Sequence, residues 1–310
     1  MRTNRPAFTI VELLVVITII GMLMAMSFPM LQAVLAQARR QDCANRLREL
    51  LHAAELRHGN SDAYPALVER GPRRADGTRN QPLVWPVPLL EYLGQAPLGK
   101  TWTSAKPDRA YVVAPVSAFV CPDDDTATGD QPLSFVINAG AIEDAARPNL
   151  ANGLAFSRYL LAGKGPSRSQ VGVHKNLTAT ILFTENLQAA NWADNRDHID
   201  RPRPYDGEQP TSAREAQQFT GFVWNGLQIN EGDDGTDFDV PATAPNPRWA
   251  RPSSNHPLGV NAAMCAGNVR FLAQKIDRHV FQYLCVADPE LAAAAGLDPR
   301  VATMIAPEDD

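Results

Sequence analysis

The chain lacks most of what would declare a chemistry. No two of its four cysteines, Cys43, Cys121, Cys265 and Cys285, form a C-x-x-C pair, so the spacing predicts no zinc site. There is no basic excess: the formal net charge is -5 and the pI is near 5.7, so bulk charge gives nucleic-acid binding no support. No G-x-S-x-G elbow is present to feed a Ser-His-Asp triad, and the six histidines show no H-E-x-x-H spacing. Aromatics are modest at 7% and the five tryptophans are scattered, which suits core packing better than a carbohydrate platform. Internal repeats and long low-complexity linkers are absent. What is abundant is punctuation: 25 prolines and 20 glycines in 310 residues argue for a turn-rich body rather than a helical bundle.

One stretch lacks charge altogether. From Leu13 to Ala38 there is no ionisable group, a run of 26 residues, or about 39 Å of helix, enough to cross a hydrocarbon core of about 30 Å. Arg2 and Arg5 precede it without any acid, so the positive-inside rule keeps the leader cytoplasmic and exports the rest. The run flows into "LQAVLAQARRQDCANRLRELLHAAELRHG", where Cys43, Leu47, Leu50, Leu51 and Ala54 recur at helical spacing. A cleaved secretory signal would need a shorter run and small residues after it. A plain single-pass anchor explains the length but not Glu12, a carboxylate in the opening turns. At mid-bilayer such a group costs about 2.5–3.5 kcal/mol, and less near the end.

The segment "AFTIVELLVVITIIGMLM" resembles the class III signal of type IV pilins and type II secretion pseudopilins. The resemblance implies cleavage by prepilin peptidase between Ala7 and Phe8, N-methylation of Phe8, and Glu12 as the fifth mature residue. Here Ala7 stands where the family usually has Gly. The cut creates an amine, and a carboxylate beside it offsets much of the penalty either buried charge would carry alone. The resemblance makes Glu12 an assembly residue that meets the amine of a neighbouring subunit, and Pro29 a helix kink.

The helix is predicted from near Phe8 to about Arg57, ending at "HGN" (58–60). Beyond it, "VWPVPLLEYLG" reads as a short helix; "RAYVVAPVSAFVCP", "LSFVINAG", "TATILFTENL" and "QQFTGFVWNGLQI" read as strands; "GVNAAMCAGNVRFLAQ" reads as a hairpin turning at Ala266 to Asn268; and "DRHVFQYLCVA" reads as a closing helix. The expected class is α+β: a long N-terminal helix packed on an antiparallel sheet. The expected division is leader 1–7, membrane or filament-core half 8–38, amphipathic half 39–60, extracytoplasmic body 61–305 and tail 306–310.

Several blocks, "QARRQDCANRLREL", "FVCPDDD", "SFVINAG", "TATILFTENLQAANW" and "SSNHPLGVNAAMCAGNVRFLAQKID", resemble the bacterial prepilin-like family called domain of unknown function 1559. Leu258 replaces the first Gly of that family's Gly-Gly pair, and Ala266 replaces its usual Asp.

Candidate chemistry is sparse. His256, before a proline in a tight loop, reads as a structural hydrogen-bonding residue rather than a catalytic one. Asp123 to Asp125 form one acidic run. Glu231, Asp233, Asp234, Asp237 and Asp239 form another and are the candidate ligands for calcium, a hard cation wanting several oxygens; neither run matches the EF-hand pattern. A bridge from Cys43 to Cys121 is one pairing open to a body in an oxidising compartment, and the sequence does not fix it. The expectation is a structural protein without enzymatic activity, a minor or accessory filament subunit. Its partners would be prepilin peptidase, other pilin-like subunits and the inner membrane, with its body outside the cytoplasm. The alternative is an anchored extracytoplasmic binding or display module.

Overall fold

The computed structural model describes residues 9–73, 77, 79, 83–104, 112–140, 154–155, 171, 177–187, 189, 191–193, 221–223, 229–230, 251–294 and 300. The chain divides into two compact units, Met1–Gln41 and Asp42–Asp310.

In the first unit, helix α1 (Ile10–Ser61) begins as an apolar rod. Its large side chains from Ile10 to Leu35 are all exposed, Ile10 at 84% and Phe28 at 64%. Burying that many Leu, Ile, Val, Met and Phe side chains is worth tens of kcal/mol, at about 1.5–3 kcal/mol each, so the rod demands an apolar surrounding. Among the described residues this is the one helix long and apolar enough to cross a membrane. It runs unbroken across Pro29. One missing N–H leaves the flanking turns to carry the helix through the proline.

In the second unit the rest of α1 is amphipathic. Cys43, Leu47, Leu50, Leu51 and Ala54 are buried, the same stripe that the spacing picks out. The helix carries on through "HGN" to Ser61; a single exposed Gly59 weakens a helix end by only about 1 kcal/mol. Strands β1 (Val68–Glu69) and β2 (Leu83–Val84) pair antiparallel, and Arg57 at the end of α1 forms an ion pair with Glu69. Short helices α2 (Pro86–Leu89) and α3 (Ala96–Thr103) follow.

The main sheet contains β3 (Phe135–Gly140), β4 (Ile181–Glu185), β5 (Gly221–Val223), β6 (Gly259–Met264) and β7 (Val269–Ala273) in the order β5-β3-β4-β6-β7. The pairs β3–β4, β4–β6 and β6–β7 are antiparallel, but β5 lies parallel to β3, a departure from the antiparallel expectation. The β6–β7 turn has Gly267 at φ +101°, a left-handed conformation that glycine adopts without penalty.

Both sheet faces are covered. Phe135, Ile137, Phe183 and Ala263 pack with Leu47, Leu50 and Trp85 on one side. Val136, Ile181, Val260, Ala262 and Met264 pack on the other with Phe281 and Leu284 of helix α4 (Arg278–Cys285). This explains why β4 is buried at every position, with neither face left to solvent. Asp277 caps α4 by accepting the N–H groups of His279 (2.9 Å) and Val280 (3.2 Å). Asp288 likewise accepts those of Glu290 and Leu291 to start helix α5 (Pro289–Ala294). Asn138 pins the layers together: its Nδ2 donates to the carbonyls of Ile181 and Cys285, both at 2.8 Å.

One expected strand does not form. Residues 112–116 of "RAYVVAPVSAFVCP" carry no strand, and Ser117–Phe119 make a 3-10 turn. Pro115 has no N–H to donate, and indole groups occupy neighbouring carbonyls: Trp102 Nε1 donates to Val112 O (2.9 Å) and Trp192 Nε1 to Ala114 O (3.1 Å).

Candidate functional site

Among the described residues, two places bring functional groups together. The first is the start of α1. Thr9 N and Thr9 Oγ1 donate to Glu12 Oε2 at 2.9 and 2.8 Å, and Glu12 N donates back to Thr9 Oγ1 at 3.3 Å. This reciprocal pattern is a capping box. It gives Glu12 a local role that reading the sequence for charge alone missed, although the T-x-x-E spacing of Thr9 and Glu12 was available. The described bonds fall on a single carboxylate oxygen. Ala7 and Phe8, the cleavage and methylation positions, lie outside the described residues.

The second place is buried in the body, and its parts come from four distant segments. Arg46 on α1 donates to the carbonyls of Ser117 (2.8 Å) and Val120. This holds the segment before Cys121 against the helix, and Cys43, one turn earlier on α1, is disulfide-bonded to Cys121. The loop 253–258 is folded by its own hydroxyls: His256 N donates to Ser254 Oγ (3.1 Å), and Ser254 Oγ donates to Gly259 O (2.7 Å). Asn255 Nδ2 reaches Asp123 O at 2.7 Å, locking this loop onto the acidic run after Cys121. His256 is thereby fixed with its side chain fully buried.

Its two ring nitrogens face different groups. Nε2 lies 3.1 Å from Glu185 Oε1 and 3.5 Å from Cys121 Sγ. Nδ1 lies 3.1 Å from Asp123 Oδ2, at ion-pair distance but off hydrogen-bond alignment. Glu185, at the last position of β4, is held by Asn261 of β6. The Asn261 backbone N–H donates to Oε2 (2.8 Å) and its Nδ2 to Oε1 (2.9 Å). Burial by itself would lower the His256 pKa, but the hydrogen bond and charge of Glu185, with the charge of Asp123 beside them, outweigh it and hold the imidazole above its ordinary range. Burial pushes Asp124 up despite the bonds it accepts from Thr126 and Ala127. A cavity of about 10 Å³, room for one water, is lined by Cys121, Asp124, Ser134, Glu185, Ser253 and Asn255 among others.

The structure therefore supplies His256 with partners that its sequence neighbours do not reveal. Ser253 donates its hydroxyl toward Asn186 Oδ1 and Ser254 donates to Gly259 O; neither hydroxyl bonds the imidazole, so no serine nucleophile is arranged here. Glu185 and Asn261 were not singled out from sequence. A signal was there for Glu185: an acid closing an otherwise apolar strand, which must either be solvated or be paired. The acidic run Glu231, Asp233, Asp234, Asp237 and Asp239, the candidate calcium ligands, lies outside the described residues.

Comparison with protein families gives two matches. The family described as "Protein of unknown function (DUF1559)" matches residues 32–279, and the prokaryotic N-terminal methylation motif matches residues 2–28. No curated protein and no solved structure matches the chain. The methylation motif implies processing by prepilin peptidase and association with the membrane, and it overlies the exposed apolar start of α1. The chain is thus a prepilin-type, type IV pilin-like protein with an apolar N-terminal helix suited to anchor it in a membrane, and it belongs to the DUF1559 family.

Proposed function

We propose that this protein is a structural subunit, without catalytic activity, of a type II secretion or type IV pilus-like filament, in a minor or accessory position. The observation that carries the reading is the coincidence of three features at one end of the chain: the methylation motif, an unpartnered apolar helix start, and one carboxylate within it, Glu12. In the uncut chain that carboxylate is satisfied by Thr9. Cleavage between Ala7 and Phe8 places a cationic amine one residue before Thr9, so the same carboxylate gains a charged partner, its own or a neighbour's. An amine and a carboxylate meeting inside an apolar filament are strongly coupled to each other, because either one alone would be an uncompensated buried charge.

The size of the body, which holds everything from Asp42 onward, supports an accessory rather than a bulk role. The anchor would sit in the inner membrane with the body on the outer side. The partners are prepilin peptidase and other pilin-like subunits, and no cofactor is needed for assembly.

The test is Glu12→Ala in cells. The expected result is loss of cross-linked oligomers or sheared filaments while the protein still fractionates with membranes. Intact-mass analysis should show wild type starting at a methylated Phe8. Oligomers that survive Glu12→Ala would refute the assembly role. The chain would then stand as an anchored binding or display module, whose ligand affinity that substitution leaves untouched.

A further inference from the structure

We propose that Cys43, Cys121, His256 and Glu185 form a binding site for a zinc-class divalent metal when the two cysteines are thiolates, and that the disulfide and the metal are alternative occupants of this centre. One ligand atom from each of the four lies within 4.8 Å of all the others, and all four residues are buried.

Two of the distances already approach those of a tetrahedral site. With metal–sulfur bonds of about 2.3 Å and metal–nitrogen or –oxygen bonds of about 2.0–2.1 Å, tetrahedral angles put sulfur about 3.5 Å from nitrogen and nitrogen about 3.3 Å from oxygen. Here Cys121 Sγ is 3.5 Å from His256 Nε2, and Nε2 is 3.1 Å from Glu185 Oε1. The two sulfurs would have to part to about 3.8 Å, a separation that rotation about the Cα–Cβ bonds supplies at the observed Cα–Cα distance of 4.9 Å.

The surroundings are also those of a metal centre. A ligating histidine commonly turns its other nitrogen to a carboxylate, and Asp123 Oδ2 lies 3.1 Å from Nδ1. The ligating carboxylate is itself oriented, by the two donors of Asn261. Two thiolates, an imidazole and a carboxylate suit zinc and cobalt(II) rather than calcium or magnesium. With four protein ligands the site is closed and its role is structural. The absence of a C-x-x-C pair therefore does not exclude zinc here, because the fold assembles the ligands from positions 43, 121, 185 and 256.

Interconversion balances with a dithiol as reductant. The dithiol closes to its own disulfide and gives up two electrons and two protons; the Cys43–Cys121 bond takes them up and breaks to two thiols; zinc(II) then displaces both thiol protons and any proton on His256 Nε2, all three released to solvent, while Nδ1 keeps its proton toward Asp123.

The test uses the full-length protein in detergent, reduced by a dithiol, exposed to zinc(II) or cobalt(II), and gel-filtered. Reduced protein should retain about one zinc per chain, and oxidised protein none. Cobalt(II) should give tetrahedral d–d bands and a thiolate charge-transfer band. Cys43→Ser with Cys121→Ser, which keeps the buried Cys265 and Cys285 outside that disulfide, should lose both the metal and the charge-transfer band. His256→Ala should lose stoichiometric retention, and Asp123→Asn should weaken affinity about 10–100-fold. Reduced, folded wild type that retains no metal overturns the proposal, as does His256→Ala retaining metal with an unchanged spectrum. If reduction unfolds the chain, refolding on addition of zinc supports the proposal, and failure to refold with zinc present overturns it.

Discussion

Consider the double substitution Cys43→Ala with Cys121→Ala. The bond joins residues 78 apart, and in the chain-entropy account closing a loop of that length removes about 4.5 kcal/mol of denatured-state freedom at 25 °C. The native geometry should survive without the bond, because Arg46 still holds the carbonyls of Ser117 and Val120 against α1, and Leu47 and Leu50 still pack against Phe135 and Phe183. The loss should therefore appear almost entirely as a destabilised folded state relative to a freer unfolded one. Residual structure in the denatured chain lowers the effect, so the expected loss is about 3–4.5 kcal/mol. Urea denaturation of the detergent-extracted protein, followed by the fluorescence of the buried Trp85, Trp102 and Trp192, should show a midpoint lower by on the order of 1–2 M. The runs need a chelator, so that no metal stands in for the bond. A loss below about 1 kcal/mol would refute the reasoning. So would oxidised and reduced wild type with matching midpoints, since the bond would then not be constraining the unfolded chain at all.

Other perturbations test the body piece by piece. Asn138→Ala leaves the carbonyls of Ile181 and Cys285 without their side-chain donor in a fully buried position; a loss of about 2–3 kcal/mol is expected in the same denaturation assay. Gly259→Ala places a Cβ 2.1 Å from Leu272 O on the facing strand; a loss of about 3 kcal/mol or more is expected, measured as a fall in melting temperature. Leu258 is an exposed leucine at φ +69°, a left-handed conformation that favours glycine; Leu258→Gly should stabilise by about 1 kcal/mol, and an unchanged or lower melting temperature would count against strain there. Burial holds the Asp124 pKa above its ordinary range. Its favourable contribution is therefore complete below the unfolded carboxylate pKa of about 3.9 and is lost as pH rises through the raised folded value. Asp124→Asn should gain on wild type as pH climbs through the carboxylate range, and a difference that stays flat with pH would contradict this.

Much of the fold was legible because local patterns and tertiary packing agree. The stripe Cys43, Leu47, Leu50, Leu51 and Ala54 meets the sheet as its spacing requires. The strands in "LSFVINAG" and "TATILFTENL" and the hairpin around Gly267 form where β-branched runs and turn residues place them. The misreadings have physical causes that lie outside any local window. The apolar "YVVAPVSAFV" has strand composition, but its carbonyls at Val112 and Ala114 are taken by two indoles, one of them, Trp192, 78 residues away in the chain. The parallel pairing of β5 with β3 depends on a long connection, and no turn motif announces it. The end of α1 overran "HGN" because Ser61 Oγ bonds back to Arg57 O (2.9 Å) and Arg57 pairs with Glu69, so the last turn is held by contacts rather than by propensity.

The buried site was legible only in its separate parts, and the reason bears on what it does. Cys121, Asp123, Glu185, His256 and Asn261 each look ordinary in sequence: a cysteine before a proline, an acidic run, an acid ending a strand, a histidine in a loop, an asparagine in a strand. Only the sheet order, which sets β4 beside β6, brings Glu185 to Asn261. Only the clasp of Asn255 on Asp123 brings the imidazole to the sulfur. A cluster whose members are 71 and 135 residues apart forms only when the body is folded. Whatever occupies it, disulfide or metal, therefore reports on the folded state and reinforces it. That makes the centre a clamp between the amphipathic half of α1 and the sheet. The clamp would be closed by oxidation in one setting and by metal in another.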